Sequence, residues 1–255
     1  MSAFKNLMQK LHVRRAGALD FERRLRDKWR EVPSNDQERA FSSDLLRLDD
    51  EALLRAWKTH DASTATREIR GWYRERYQDV VKDRDILDFG CGFSVDGIHL
   101  LQHGARVTFA DIVEDNIRLV ERVVGLLGLE AEYYFVDDLY SFRFRHSFDY
   151  IFAIGSLIHA PFEMTQKEVA ALEEHLKVGG AVLFFGYPHE RFVRSGARDG
   201  ADFARTTDGE RTPWAEWYDG AKICALFGER FELEFERNFG PSGIDFNWFE
   251  LKKLR

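Results

Sequence analysis

Within residues 86–100 the apolar pattern of the chain changes type, and this change constrains the fold more than any other feature. Ile86, Leu87 and Phe89 read as a short buried strand, interrupted by Asp88 near its end. Gly90 and Gly92 then permit a tight turn at backbone angles that a Cβ would penalise. From Val95 the spacing is helical, with Val95, Ile98 and Leu100 or Leu101 able to share a face. Strand, glycine turn and helix together bring free backbone N–H groups and the positive end of a helix dipole toward a ligand. Asp88 adds a hydrogen-bond acceptor at the end of the strand. Such a site suits a ligand with an anionic part and a cationic or hydroxyl-bearing part.

A second strand is predicted over residues 105–110, after a helix that Gly104 terminates, and it ends at Asp111. Asp111 stands 21 residues beyond Gly90, close to the spacing at which a second-strand carboxylate meets the ribose hydroxyls of a bound nucleoside. On these residues the chain resembles the class I S-adenosylmethionine-dependent methyltransferases. Their first motif, acidic-x-Gly-x-Gly-x-Gly, is met by Asp88, Gly90 and Gly92, with Ser94 in place of the third glycine. Ser94 is also a residue type that caps helices, here the one that follows.

Strand and helix continue to alternate. A helix is predicted over residues 114–127 and a strand over 131–136, which leads to Asp137-Asp138-Leu139. A strand over 148–153 leads to Ile154 and Gly155, a helix covers 165–176, and residues 181–185 form a fifth buried strand. The alternation predicts an α/β fold, doubly wound around a mostly parallel sheet. Residues 231–239 and 246–254 alternate as strands around a Gly-Pro-Ser-Gly turn, a hairpin that places one antiparallel strand in the sheet. The resemblance covers about residues 85–255 apart from 187–217, and it implies seven strands with the last reversed. Residues 1–85 read as an N-terminal helical cap, with Leu19, Phe21, Leu25 and Trp29 on one helix face, short helices over 40–48 and 51–59, and a longer one over 64–81. The cap is expected to pack on the sheet; part of it over the cleft is the functional alternative. Residues 86–255 form the binding domain, with a lid-like insertion at about 187–217.

The resemblance implies a cofactor, S-adenosylmethionine, and a site built from Asp88, Gly90, Cys91, Gly92, Phe93, Asp111, Ile112, Asp138, Leu139, Ile154 and Gly155. Asp111 would bind the ribose, Ile112 would pack on the adenine, Asp138 would accept from the adenine amino group, and Gly155 would admit the methionine part. Cys91 is read as a small residue that fits the turn rather than as a reactive thiol. Methyl transfer needs an in-line nucleophile and little else, but a hydroxyl nucleophile must also lose its proton. His159, just beyond the fourth strand, is the first candidate base and His189 the second; a packed loop histidine is the alternative for the first.

The insertion carries five arginines, Arg191 to Arg211, but Glu190, Asp199, Asp202, Asp208 and Glu210 cancel them. It is either an exposed insertion or a lid with one or two arginines for an anionic acceptor, and Trp214 or Trp217 is then expected to wall the acceptor pocket. The formal charge of −7 argues against non-specific nucleic-acid binding. No apolar run spans a bilayer, and residues 1–15 lack a signal-peptide core, so no membrane partner and a cytoplasmic location are expected. Two cysteines are too few for a disulfide framework or a zinc site, and no metal is expected. The expected activity is O-methylation of a small molecule or saccharide. The alternatives are a nicotinamide-dependent oxidoreductase, against which Val95 stands where the last glycine of Gly-x-Gly-x-x-Gly belongs, and a non-catalytic cofactor-binding subunit.

Overall fold

A computed structural model describes residues 17, 19–33 and 38–255; the N-terminal segment read above for a signal peptide lies outside them. Helix α1 covers residues 19–29. It is followed by β1 (Glu31–Pro33), β2 (Arg39–Phe41), α2 (Ser42–Leu45), α3 (Asp50–Thr64), one π-helical turn (Arg67–Gly71) and α4 (Trp72–Tyr77). The helix expected over 40–48 is thus shorter than its pattern suggests. Arg39–Phe41 pairs antiparallel with Glu31–Pro33, a non-local contact that overrides local preference.

The alternating core follows as β3 (Asp85–Phe89), α5 (Val95–Gln102), β4 (Arg106–Asp111), α6 (Glu114–Leu126), β5 (Glu132–Phe135), β6 (Phe148–Ile154), α7 (Phe162–Glu173) and β7 (Leu176–Pro188). Helix α7 starts a turn before the expected Thr165, directly after Pro161, which cannot donate a helical hydrogen bond but suits a helix start. Then come α8 (His189–Ser195), α9 (Gly200–Thr207), β8 (Trp217–Tyr218), α10 (Gly220–Phe227), β9 (Phe231–Phe239) and β10 (Phe246–Lys253). Asp49, Asp199 and Asp219 cap α3, α9 and α10 by accepting from the backbone N–H groups of Ala52, Asp202 and Lys222.

The main sheet runs β5-β4-β3-β6-β7-β10-β9, and β8 pairs beside β7. β3 to β7 are parallel, and β10 is antiparallel to both neighbours, the reversed strand expected from the hairpin pattern. Side chains alternate across the sheet into two cores. Leu87, Phe89, Ile151, Val182 and Phe184 face one, with α7 and α10; Ile86, Phe152, Leu183 and Phe185 face the other, with α3 to α6. The second core also joins segments distant in sequence: the Trp248 ring stacks on Tyr73 at 4.4 Å, and its Nε1 donates to the Tyr77 hydroxyl at 3.1 Å. The order of strands reverses between β3 and β6, so a crevice opens at their carboxyl ends.

The segment expected as a lid packs against the fold, and its Arg191, Thr207 and Asp208 face the crevice. Phe203, Ala204 and Ala215 are buried in the core, and Trp217 pairs in parallel with Tyr187. Trp214 does not wall the crevice; its indole lies against Gly200 and donates to Glu216 at 3.0 Å. Trp217 is also outside it, packed on His189 at 4.2 Å and on the Lys222 ammonium at 3.8 Å. No described helix is long and apolar enough to cross a membrane.

Candidate functional site

The glycine turn is built as its sequence requires, with Gly90 at φ +77° and Gly92 at +54°. Gly90 also permits a close approach, since a Cβ there would lie 2.4 Å from the Ser156 Cβ of the loop after β6. The turn's N–H groups are less free than the sequence suggests. Gly90 and Cys91 donate to the Ala110 carbonyl at 2.8 and 3.1 Å, Ser94 donates to the Cys91 carbonyl at 2.8 Å, and Gly92 donates to the Asp111 carboxylate at 2.9 Å. The turn is therefore locked to β4, and the carboxylates beside it, more than its own N–H groups, are available to a ligand.

Ser94 does not cap α5. It takes a left-handed conformation, φ +45°, and its hydroxyl donates to Asp88 at 2.5 Å. The close packing of α5 on the strand end falls instead to Gly97, where a Cβ would sit 2.3 Å from an Asp88 oxygen. Burial pushes the Asp88 carboxyl up to about 7; the Ser94 hydroxyl opposes this, and the nearby Asp96 and Asp111 reinforce it. Burial likewise pushes Asp111 up to about 6, against the pull of its donors Gly92 N–H, Val113 N–H and the Asn116 amide. Both carboxyls gain from a ligand that donates to their ionised forms.

Asp96 behaves oppositely. Burial alone would raise it, but the guanidinium groups of Arg70 and Arg74 and the Tyr73 hydroxyl hold it at about 2. This buried cluster joins the π-helical turn and α4 to the first turn of α5, and it sets Arg70 at the cavity wall beside the glycine turn.

These groups line one continuous cavity of about 690 Å³. At one end stand Asp111, Ile112, Val136 and Leu139, roofed by Leu25 of α1. Helix α1 is fixed there by Arg26, whose guanidinium donates to the carbonyls of Ile112 at 2.5 Å, Val136 at 2.9 Å and Asp137 at 2.6 Å. At the other end stand Trp29, Arg39, Tyr187, Arg191, Asp208 and Phe246. Arg39 lies over the Trp29 ring at 4.9 Å and 3.8 Å from Asp208. Arg191 lies over Tyr187 at 4.4 Å and donates to the Asp245 carbonyl at 2.7 Å. Asp208 accepts from the Tyr187 hydroxyl at 3.0 Å.

His159 lies in the wall between the two ends, 4% exposed, with its ring 4.2 Å from Trp29 and its Nδ1 3.3 Å from the Trp214 carbonyl. Burial lowers its pKa, so it is neutral at physiological pH. The cavity gathers Asp88, Gly90, Cys91, Gly92, Phe93, Asp111, Ile112, Leu139, Ile154, Gly155 and His159. It is lined without Asp138, whose carboxylate turns back to accept from the Tyr140 N–H at 2.8 Å, and without His189, which packs on Trp217. Sequence reasoning did not pick out Arg39, Arg70, Asn116, Ser156 or Glu168. They reach the cavity from five separate segments, and no motif spacing links them. Among the described residues no cluster of histidine, cysteine and carboxylate is arranged to hold a metal ion.

Residues 86–180 match the family described as Methyltransferase domain. Among curated proteins no sequence matches. Solved structures of similar fold include a SAM-dependent methyltransferase from Methanosarcina mazei, 20% identical over 71% of this chain and 97% of that one, with a TM-score of 0.58. Another is the N-methyltransferase NodS from Bradyrhizobium japonicum WM9 in complex with S-adenosyl-L-homocysteine, 14% identical over 84% of this chain and 97% of that one, TM-score 0.56. A third is magnesium protoporphyrin IX methyltransferase from Synechocystis PCC 6803 with bound S-adenosylhomocysteine, 18% identical over 73% of this chain and 86% of that one, TM-score 0.55. Neither the domain match nor these structures point to a nicotinamide enzyme.

Proposed function

We propose, from the premise that the chain is an S-adenosylmethionine-dependent methyltransferase of class I fold, that it methylates a hydroxyl of a small, ring-bearing polar acceptor such as a saccharide. The observation that carries this reading is the two-ended cavity, one end acidic and glycine-lined, the other aromatic with Arg39, Arg191 and Asp208. The residues of the first end fit the cofactor. Asp111 and Asp88 are buried acceptors raised toward neutrality, which suits ribose hydroxyls and an ammonium group. Ile112, Leu139 and Leu25 suit the faces of an adenine ring, and Arg70 suits a carboxylate. The bound cofactor supplies an electrophilic methyl group on a sulfonium.

The chain's own contribution is mainly positioning. Trp29 and Phe246 offer flat apolar faces to an acceptor ring, while Arg39 and Asp208 offer it a donor and an acceptor side by side. Arg191, held between Tyr187 and the Asp245 carbonyl, favours an acceptor with an anionic substituent. His159 is the proposed base. Its neutral form is favoured by burial, and its ring makes backbone hydrogen bonds to the Trp214 carbonyl, at Nδ1, and to Gly155. A cytoplasmic setting is part of the proposal, supported by two unpaired cysteines, Cys91 and Cys224. The test is transfer of labelled methyl to a panel of glycosides, hydroxylated aromatics and amines of matched size. Turnover confined to hydroxyl acceptors and weakened by Arg39→Ala supports the reading; turnover confined to amines overturns it.

A further inference from the structure

Glu168 stands on α7, outside every motif that marks the cofactor site, yet it lines the cavity and is only 4% exposed. Its location is fixed by its neighbours. Its charge interacts with that of Glu22 on α1, and both act on Tyr140 in the segment after β5 that also supplies Leu139. Glu168 thus reaches the cavity beside Tyr140 and Leu139, and its charge also acts on Tyr218 of β8. Among the described residues no donor reaches the carboxyl; the influences on it are burial and the repulsion of Glu22. A buried carboxyl without a partner, facing a cavity, is costly unless a ligand satisfies it.

We propose that the Glu168 carboxyl reads the adenine base of the cofactor, donating its O–H to the ring nitrogen N1 and accepting from the neighbouring amino group. This rests on the cofactor reading given above and adds to it the residue that selects adenine. A protonated carboxylic acid presents one donor and one acceptor about as far apart as those two groups of adenine, whereas a carboxylate presents acceptors only. Burial pushes Glu168 up to about 8, so the acid form prevails at neutral pH. Asp138, the residue the motif would assign to the amino group, accepts instead from the Tyr140 N–H and does not line the cavity.

The test is calorimetric binding of S-adenosylhomocysteine and its 1-deaza and 3-deaza analogues, in which a C–H replaces N1 or N3. The wild-type protein should bind the 1-deaza compound roughly tenfold more weakly than the parent, the size of one buried hydrogen bond lost. The 3-deaza compound serves as control for ring electronics. Glu168→Leu should bring the 1-deaza-to-parent ratio to about one. Glu168→Gln, whose amide keeps one donor and one acceptor, should preserve the ratio; it keeps the proposal falsifiable if the leucine variant fails to fold. An equal ratio in wild type and Glu168→Leu, with tight parent binding in both, overturns the assignment of Glu168 alone. Failure of the wild-type protein to bind S-adenosylhomocysteine at all overturns the underlying cofactor reading.

Discussion

Asp111→Ala separates a structural from a ligand-binding role for the carboxylate at the end of β4. In the folded protein this group gathers Gly92 N–H at 2.9 Å, Val113 N–H at 2.8 Å and the Asn116 amide at 3.2 Å. Removing it leaves donors without an acceptor, at about 1–3 kcal/mol for each that stays dry. The same change ends the burial of an anion. With the carboxyl at about 6 rather than its ordinary 3.8, keeping it ionised at pH 7 costs about 3 kcal/mol, taking about 1.4 kcal/mol per tenfold in acidity. The two effects oppose, so unfolding free energy should fall by about 0–6 kcal/mol, least where water reaches the orphaned donors. Affinity has no such compensation. Two ribose hydroxyls lose a charged acceptor, worth about 1.5–3 kcal/mol, or roughly 10- to 150-fold in Kd. Titration calorimetry with S-adenosylhomocysteine and thermal denaturation, run on the same preparation, measure both. A folded variant that binds with wild-type affinity refutes the assignment of Asp111 to the ribose.

His159→Ala should lower turnover by about 10²–10⁴ with cofactor affinity nearly intact; a loss under about threefold assigns His159 to packing between Trp29 and Trp214. Gly97→Ala places a Cβ 2.3 Å from Asp88 and 2.6 Å from the Phe109 ring; it should cost about 1–3 kcal/mol in urea denaturation and weaken cofactor binding, and an unaffected variant contradicts the close approach of α5. Asp88, Asp111 and Glu168 are all raised in the folded protein, to about 7, 6 and 8. The stability they contribute is complete below the ordinary carboxylate range and is lost as pH rises through those values. Asp96 and Asp85, both held at about 2, contribute fully across the same window, while His99, lowered by burial to about 4, and His159, lowered likewise, gain stability as pH rises toward 6.5 and offset only part of the loss. The ligand-free protein should therefore melt at lower temperature at pH 8 than at pH 5, and a flat or rising Tm contradicts the burial of these carboxyls.

What the sequence reveals here is what repeats locally. The change from strand to helical spacing at residues 86–100 and the alternation around Gly240 are short-range patterns, and both elements stand where the patterns place them. The expected helix over 40–48 fails because Arg39–Phe41 finds a strand partner six to ten residues earlier, a pairing that helical spacing does not reveal. Trp214 and Trp217 show a second limit. Aromatic composition suits a ligand wall and a packed core equally, and only the positions of Gly200, His189 and Lys222 decide between them. The wall residues Arg39, Arg70 and Glu168 carry no signal at all, since their neighbours in space are distant in sequence. Asp138 illustrates the reverse: its place after a strand is legible, but the turn to the Tyr140 N–H that redirects its carboxylate is not.

The stacking of Trp248 on Tyr73 and Tyr77 has a consequence for the order in which the molecule assembles. Tyr77 and Trp248 are separated by 171 residues, and the same α4 segment carries Tyr73 and Arg74, which bind Asp96. On a ribosome the π-helical turn and α4 emerge well before β10, against which they pack. Closing so long a loop is entropically slow, and the apolar faces of Trp72, Tyr73 and Tyr77 stay uncovered until it closes. Trp248 supplies the surface that seats Trp72 and Tyr73 of α4, the helix that follows the turn carrying Arg70. The wall beside the glycine turn is made before the strand that holds it in place.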